Sequence, residues 1–213
     1  MSSNDENPLN YENPFPAVIA RMERIALILF LIGITFKILH YPFAGPMLII
    51  SLGTLAIVYA MDGFQLISTQ YEVLDGFQTE SIKQENQSSL LNIVTGLFLS
   101  IACIGLLFRL MYWPFSQPYL AIATVGLPVV FCWMFTVRSK VVFEETAKKY
   151  LFKMLRITLF FALTATLYSI SLKTQIDLEN WNDPEMARLK YRALSNPTNK
   201  AYKKDYLEYR KTK

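Results

Sequence analysis

The sequence predicts an all-α, polytopic membrane fold, and three observations carry that prediction. Apolar residues make up 53% of the 213 and charged residues only 18%, a balance shifted away from the average soluble domain. The apolar surplus is gathered into five blocks, residues 25–39, 46–61, 90–108, 118–137 and 151–172. Such blocks approach the ~20 residues that a helix needs to cross a ~30 Å hydrocarbon core. The third observation is an internal repeat. The stretch from Gly33 to Leu48 aligns without a gap on Gly105 to Leu120, 72 residues later, pairing Gly33 with Gly105, Phe36 with Phe108, Lys37 with Arg109, Tyr41 with Trp113, Pro42-Phe43 with Pro114-Phe115 and Pro46 with Pro118.

The chain accordingly divides into a flexible amino-terminal tail (1–24), a first transmembrane hairpin (25–64), a polar and partly helical linker (65–89), a second transmembrane hairpin (90–137), a basic loop (138–150), a fifth transmembrane helix (151–172) and a basic carboxy-terminal tail with short helices (173–213). The first twenty residues are polar and mildly acidic, without the basic start and small-residue cleavage site of a signal peptide, so the first span is expected to be retained.

Each element follows from local chemistry. In the first span only Gly33 and Thr35 interrupt the large apolar residues before Lys37. That lysine meets the negative end of the helix dipole and can snorkel to headgroups. Pro42 turns Tyr41 away from helical angles, and Pro46 suits the first turn of the next helix. Tyr41, Phe43, Tyr112, Trp113 and Phe115 are the ring types that collect at membrane interfaces and set the depth of both bends.

The second span carries Gly53, Ala56 and Ala60 at three- and four-residue steps, a stripe along which another helix can approach. Apolar residues at helical spacing beyond Asp62 extend that helix past the membrane. Gly96 and Ser100 form a second small pair. Pro128 removes one hydrogen bond inside the fourth span and predicts a kink, a hinge in a transporter and an ordinary feature of a structural helix. The fifth span stands outside the repeat, with Ala162, Ala165, Thr166 and Ser169 as its small face. In the tail, Asp183-Pro184-Glu185 is a helix start and Asn196-Pro197 its end. A second short helix then places Tyr202, Tyr206 and Tyr209 on one face, a pattern suited to a membrane surface or a partner. Counting positive charges puts the amino terminus in the cytoplasm, although the basic tail then falls on the opposite side.

The two cysteines, Cys103 and Cys132, fall about 12 Å apart in height at helical rise, too far for a disulfide. His40 is the sole histidine, and one ligand does not make a metal site. The five spans hold no interior Asp or Glu, whereas ion and proton pathways ordinarily keep an ionisable group at depth. No phosphate loop, metalloprotease motif or nucleophile elbow is present. These absences argue against an enzyme and against any cofactor, metal or nucleic-acid partner. Lys37, His40, Tyr41, Arg109, Tyr112 and Trp113 are the candidate site residues, either as interface anchors or as a pair of cations that binds an anionic lipid headgroup or a partner's carboxylate. Gly53, Ala56, Ala60, Ala162, Ala165 and Ser169 are the candidate helix-packing residues.

The bend, with Gly33, Phe36-Lys37-Ile38, His40-Tyr41 and Gly45 followed by Met47-Leu48 and Gly53, resembles the amino-terminal membrane domain of GldL, the inner-membrane motor component of Bacteroidetes gliding motility and type IX secretion. The resemblance covers one hairpin and reappears more weakly in the second copy. It implies a two-helix unit with a periplasmic bend that assembles into an oligomer around a partner's helix. Lys37 matches the family's lysine at the end of the first helix. The family's glutamate in the second helix, which serves its proton pathway, has no counterpart here, since Leu55 falls at about its place. The expected function is a non-catalytic structural or assembly subunit of a bacterial inner membrane, surrounded by lipids and by other membrane subunits or further copies of itself. A small transporter or ion-conducting subunit is the alternative.

Overall fold

A computed structural model describes residues 15–71, 81–138 and 144–211, with side chains described for 18–61, 63, 90–136 and 151–211. Most of the expected flexible tail, the middle of the 65–89 linker, part of the basic loop and the side chain of Asp62 lie outside the described residues. The described residues form eight helices: α1 (Phe15–Ile38), α2 (Ala44–Tyr71), α3 (Ser81–Leu110), α4 (Ser116–Arg138), α5 (Glu144–Ser169), α6 (Leu172–Glu179), α7 (Pro184–Ser195) and α8 (Lys200–Lys211).

Four of the helices contain a stretch long and apolar enough to cross a membrane: Ala44–Met61 in α2, Leu90–Leu110 in α3, Ser116–Thr136 in α4 and Leu151–Ser169 in α5. The crossing expected at 25–39 is not among them. Arg21, Glu23 and Arg24 on one side and Lys37 on the other confine the charge-free run of α1 to residues 25–36, about 18 Å at helical rise. Helix α1 also begins at Phe15, inside the expected tail. Pro16 then lies in the first turn, where its missing N–H costs no hydrogen bond.

The long helices pack in chain order, each on the next, and α3 also touches α5, which puts α3 at the centre. Leu48, Leu52, Leu55, Leu91, Leu106, Leu120, Leu127 and Met134 are fully buried between them. Large apolar residues also cover the outside, among them Leu31 (64% exposed), Ile50 (61%), Ile57 (62%), Val125 (69%) and Phe152 (71%). A helix bundle with so many large apolar residues on its exterior suits lipid better than water.

Buried positions recur at the 72-residue offset. Leu48 and Leu120, Ser51 and Ala123, Leu55 and Leu127, and Val58 and Val130 are four pairs of buried residues at the 72-residue offset. The same offset relates two close approaches: a Cβ at Gly33 would lie 3.1 Å from the Leu48 side chain, and one at Gly105 would lie 3.2 Å from the Leu120 backbone nitrogen. Both cysteines are free thiols, Cys103 buried and Cys132 exposed.

Candidate functional site

Both bends are built by one capping device. At the first, Tyr41 N donates to Phe36 O at 2.9 Å and His40 N to Lys37 O at 3.3 Å. At the second, Trp113 N donates to Phe108 O at 2.8 Å and Tyr112 N to Arg109 O at 3.2 Å. These are the paired long and short bonds of a Schellman cap, whose turn residue takes a left-handed conformation. Here that residue is His40 (φ 57°) or Tyr112 (φ 57°), and Phe43 (φ 75°) and Phe115 (φ 67°) are left-handed too. None is glycine, so each site carries the modest strain that a side chain meets there. The apolar contact that accompanies such caps is also present twice, Phe36 against Tyr41 at 5.4 Å and Phe108 against Trp113 at 5.4 Å between ring centres.

Each cap leaves a cation at the end of its helix, and each cation reaches the end of another. Lys37 Nζ donates to the Leu110 carbonyl at the end of α3. Arg109 Nη2 donates to the Ile170 carbonyl just past α5. Helices α1, α3 and α5 thus bring their carbonyl ends, where the dipole is negative, to one end of the bundle. The tail folds onto that end. The Glu179 carboxylate, closing α6, lies 3.6 Å from Lys37 Nζ and 2.7 Å from Lys190 Nζ, and accepts a hydrogen bond from the Tyr112 hydroxyl. Both ammonium groups sit over the Tyr112 ring, at 4.7 Å for Lys37 and 4.5 Å for Lys190. Burial alone pushes the Glu179 carboxyl upward, but Lys37, Lys190 and the hydrogen bonds from Lys190 and Tyr112 outweigh it and hold the group below its ordinary 4.5. The Tyr112 hydroxyl is pushed well above its ordinary value, first by burial and then by the Glu179 charge.

Two clefts flank this cluster beneath α7 and α8. One, of about 750 Å³, is lined by Lys37, His40, Tyr41, Glu179 and Arg210 among others. The other, of about 930 Å³, runs beside the second bend past Arg109, Trp113 and Phe115. Tyr202, Tyr206 and Tyr209 are the half-buried residues of an otherwise exposed α8, and the Tyr209 hydroxyl donates to Asp183 Oδ1 at 3.1 Å. Asp183 also accepts from Met186 N at 3.0 Å as the cap of α7.

The structure thus gathers Lys37, Arg109 and Tyr112 at one end. His40 and Tyr41 line the cleft at the first bend. Trp113 lines the cleft at the second and is 42% exposed. Of the packing candidates, Ala56 is buried and Ala60 half-buried, while a Cβ at Gly53 would meet nothing within 4 Å. Inside one chain the tightest seam of α2 lies further on, where a Cβ at Gly96 would come within 2.4 Å of the Tyr59 carbonyl. On α5 the buried face is Met154, Ile157, Phe160 and Thr164, with Ala162 and Ser169 exposed and Ala165 half-buried.

Sequence reasoning missed Glu179 and Lys190, and it missed a second polar cluster at the opposite end. There Arg156 pairs with Glu23 at 2.8 Å, and the Tyr59 hydroxyl donates to the same carboxylate at 3.2 Å. Lys153 Nζ donates to Asn92 Oδ1 at 2.9 Å. Lys153 and Arg156 lie within the apolar stretch of α5, and their pairing offsets the cost of placing charge there. Nothing in the sequence around Lys153 and Arg156 signals these partners, because Asn92 and Glu23 lie 61 and 133 residues away. Among the described residues no three His, Cys, Asp or Glu side chains converge to hold a metal.

A serpentine of long apolar helices with an apolar exterior and polar clusters at both ends defines a polytopic α-helical membrane protein. Its first hairpin is more specific: residues 27–78, 52 of the 213, match the family described as the GldL N-terminal domain. No curated protein and no solved structure matches the chain.

Proposed function

We propose that the chain is a non-catalytic structural or assembly subunit of a bacterial inner membrane, made of two related hairpins and a fifth helix, with its amino terminus in the cytoplasm. The observation that carries this reading is the internal neutralisation of Lys37. The cation that closes the GldL-type hairpin is engaged by the end of α3 and by the chain's own Glu179, so here it joins parts of the fold. The common capping device, the paired buried positions and the two glycine approaches at one offset support descent of both hairpins from one unit. A crossing by α1 is supported by its partners: Glu23 meets Tyr59 near the end of the apolar stretch of α2, and Lys37 reaches the carbonyl end of α3 at the opposite end of the bundle. Snorkelling side chains and local thinning accommodate so short an apolar run. Service in gliding motility or type IX secretion, with other membrane subunits or further copies as partners, is the process the GldL domain suggests.

Purified full-length protein in sealed vesicles tests the reading. The expected result is a proton leak no greater than that of empty vesicles, together with co-purification of membrane partners from the native host. A leak abolished by Lys37→Ala would replace the structural subunit with an ion-conducting one.

A further inference from the structure

We propose that the cleft beside the second bend binds an anionic glycerophospholipid, with its headgroup phosphate between Arg109 and Lys203 and its acyl chains leaving past Phe115 along the outer side of α4. The cleft measures about 930 Å³, within the range of small-molecule sites. Its charged lining is entirely basic: Arg109, Lys190 and Lys203, with no carboxylate among the described lining residues. Lys190 is already paired with Glu179, which lines the neighbouring cleft with Lys37, so Arg109 and Lys203 carry the charge here.

Arg109 is the telling residue. It is 4% exposed, its Nη2 is used by the Ile170 carbonyl, and its Nε has no hydrogen-bond partner among the described residues. A buried guanidinium facing a carbonyl alone retains its full charge, and an unmade hydrogen bond at depth is costly. A phosphate in the cleft that Arg109 lines supplies the missing negative charge, in the pairing for which guanidinium is best suited. Lys203 of α8 also lines the cleft and has no ion pair among the described residues.

The remaining lining indicates a lipid. Leu172 and Leu194 give the cleft an apolar wall, and Phe115, 73% exposed, stands at its mouth where α4 enters its apolar stretch at Ser116. A free anion has no use for such a wall, whereas a basic pocket at the end of membrane helices is a recurring form of headgroup site.

The test uses the full chain in nonionic detergent, titrated with fluorescent phosphatidylglycerol and with phosphatidylcholine of the same acyl length. Phosphatidylglycerol is expected to bind about tenfold tighter or more, the worth of one charge-assisted contact. Lys203→Glu should weaken it about 5- to 10-fold. Lys204→Glu, the next residue on α8 and outside the cleft lining, makes the same change in net charge and should alter binding less than about twofold. Millimolar inorganic phosphate should not displace the lipid. Equal loss in the two variants would show diffuse surface attraction, equal binding of the two lipids would remove the headgroup site, and displacement by phosphate would make it a small-anion site. Each of these three results overturns the proposal.

Discussion

The two bends share a backbone and differ in what their cations meet. Lys37 and Arg109 occupy equivalent places behind equivalent caps, and each donates to a carbonyl at the end of a neighbouring helix. Lys37 also has a carboxylate, whereas Arg109 has none within the described residues and keeps an unpartnered Nε. The backbone device therefore fixes where a cation stands, and the element packed against the bend decides whether it is neutralised. At the first bend that element is the end of α6, carrying Glu179. At the second it is the junction of α5 and α6, which offers carbonyls and Gln175, whose Nε2 donates to Arg109 O at 3.4 Å.

The largest expected effect comes from breaking the neutralised bend. Glu179→Ala leaves Lys37 and Lys190 close together without their shared carboxylate, at a cost on the order of 3 kcal/mol. Limited proteolysis of the detergent-solubilised protein should then cut the tail near Asn196-Pro197 much faster than in the parent. An unchanged digestion pattern would mean that α7 and α8 are held by their tyrosines alone.

Acid should reach the same end by titration. Because the Glu179 carboxyl is held below its ordinary 4.5 in the folded chain, its contribution is complete above that value and is lost as pH falls through the folded pKa. Tail proteolysis by an acid-tolerant protease should rise below about pH 4.5 in the parent. In Glu179→Gln this component should be absent. A variant that keeps the same acid dependence would assign it to another group.

Smaller effects separate the hairpins at their glycines. At Gly105 a new Cβ meets the Leu120 backbone nitrogen at 3.2 Å, whereas at Gly33 the nearest atoms belong to the Leu48 side chain, with the backbone nitrogen at 3.5 Å. Gly105→Ala should therefore destabilise by about 1–2 kcal/mol, in the overpacking range. At Gly33 movement of Leu48 and the better helix propensity of alanine should largely cancel the cost. Thermal aggregation midpoints in detergent give the comparison, and a larger drop for Gly33→Ala would show that the Leu48 side chain cannot yield.

The smallest expected difference is none. Phe43 and Phe115 are equivalent left-handed positions, each 73% exposed. Cysteines placed there should label equally with a membrane-impermeant maleimide in intact cells. Opposite labelling would put the bends on different faces and break the comparison at its root.

Much of the fold was legible because it depends on short-range chemistry. Apolar block length marked the helices, the 72-residue alignment marked the equivalent bends, and Asp183-Pro184 marked the start of α7. Helix α6 was not legible: its cap Ser171, which accepts from Thr174 N at 3.0 Å, lies inside an apolar block that sequence reading continued to residue 172. The first crossing was the least legible, since the charges at Arg24 and Lys37 confine its apolar run to residues 25–36. The candidate site was half legible. Lys37 and Arg109 announce themselves through the 72-residue alignment and Tyr112 as an interface ring, but Glu179 meets Lys37 from 142 residues away, and Glu23 meets Arg156 from 133. The sequence by itself thus determined where the helices lie, where they bend and where a cation stands at each bend, because those follow from hydrophobic length and local capping. Only the tertiary structure decided which cation is neutralised and which is left facing an open cleft, because that depends on how a tail without any matching periodicity folds back across the ends of three parallel helices.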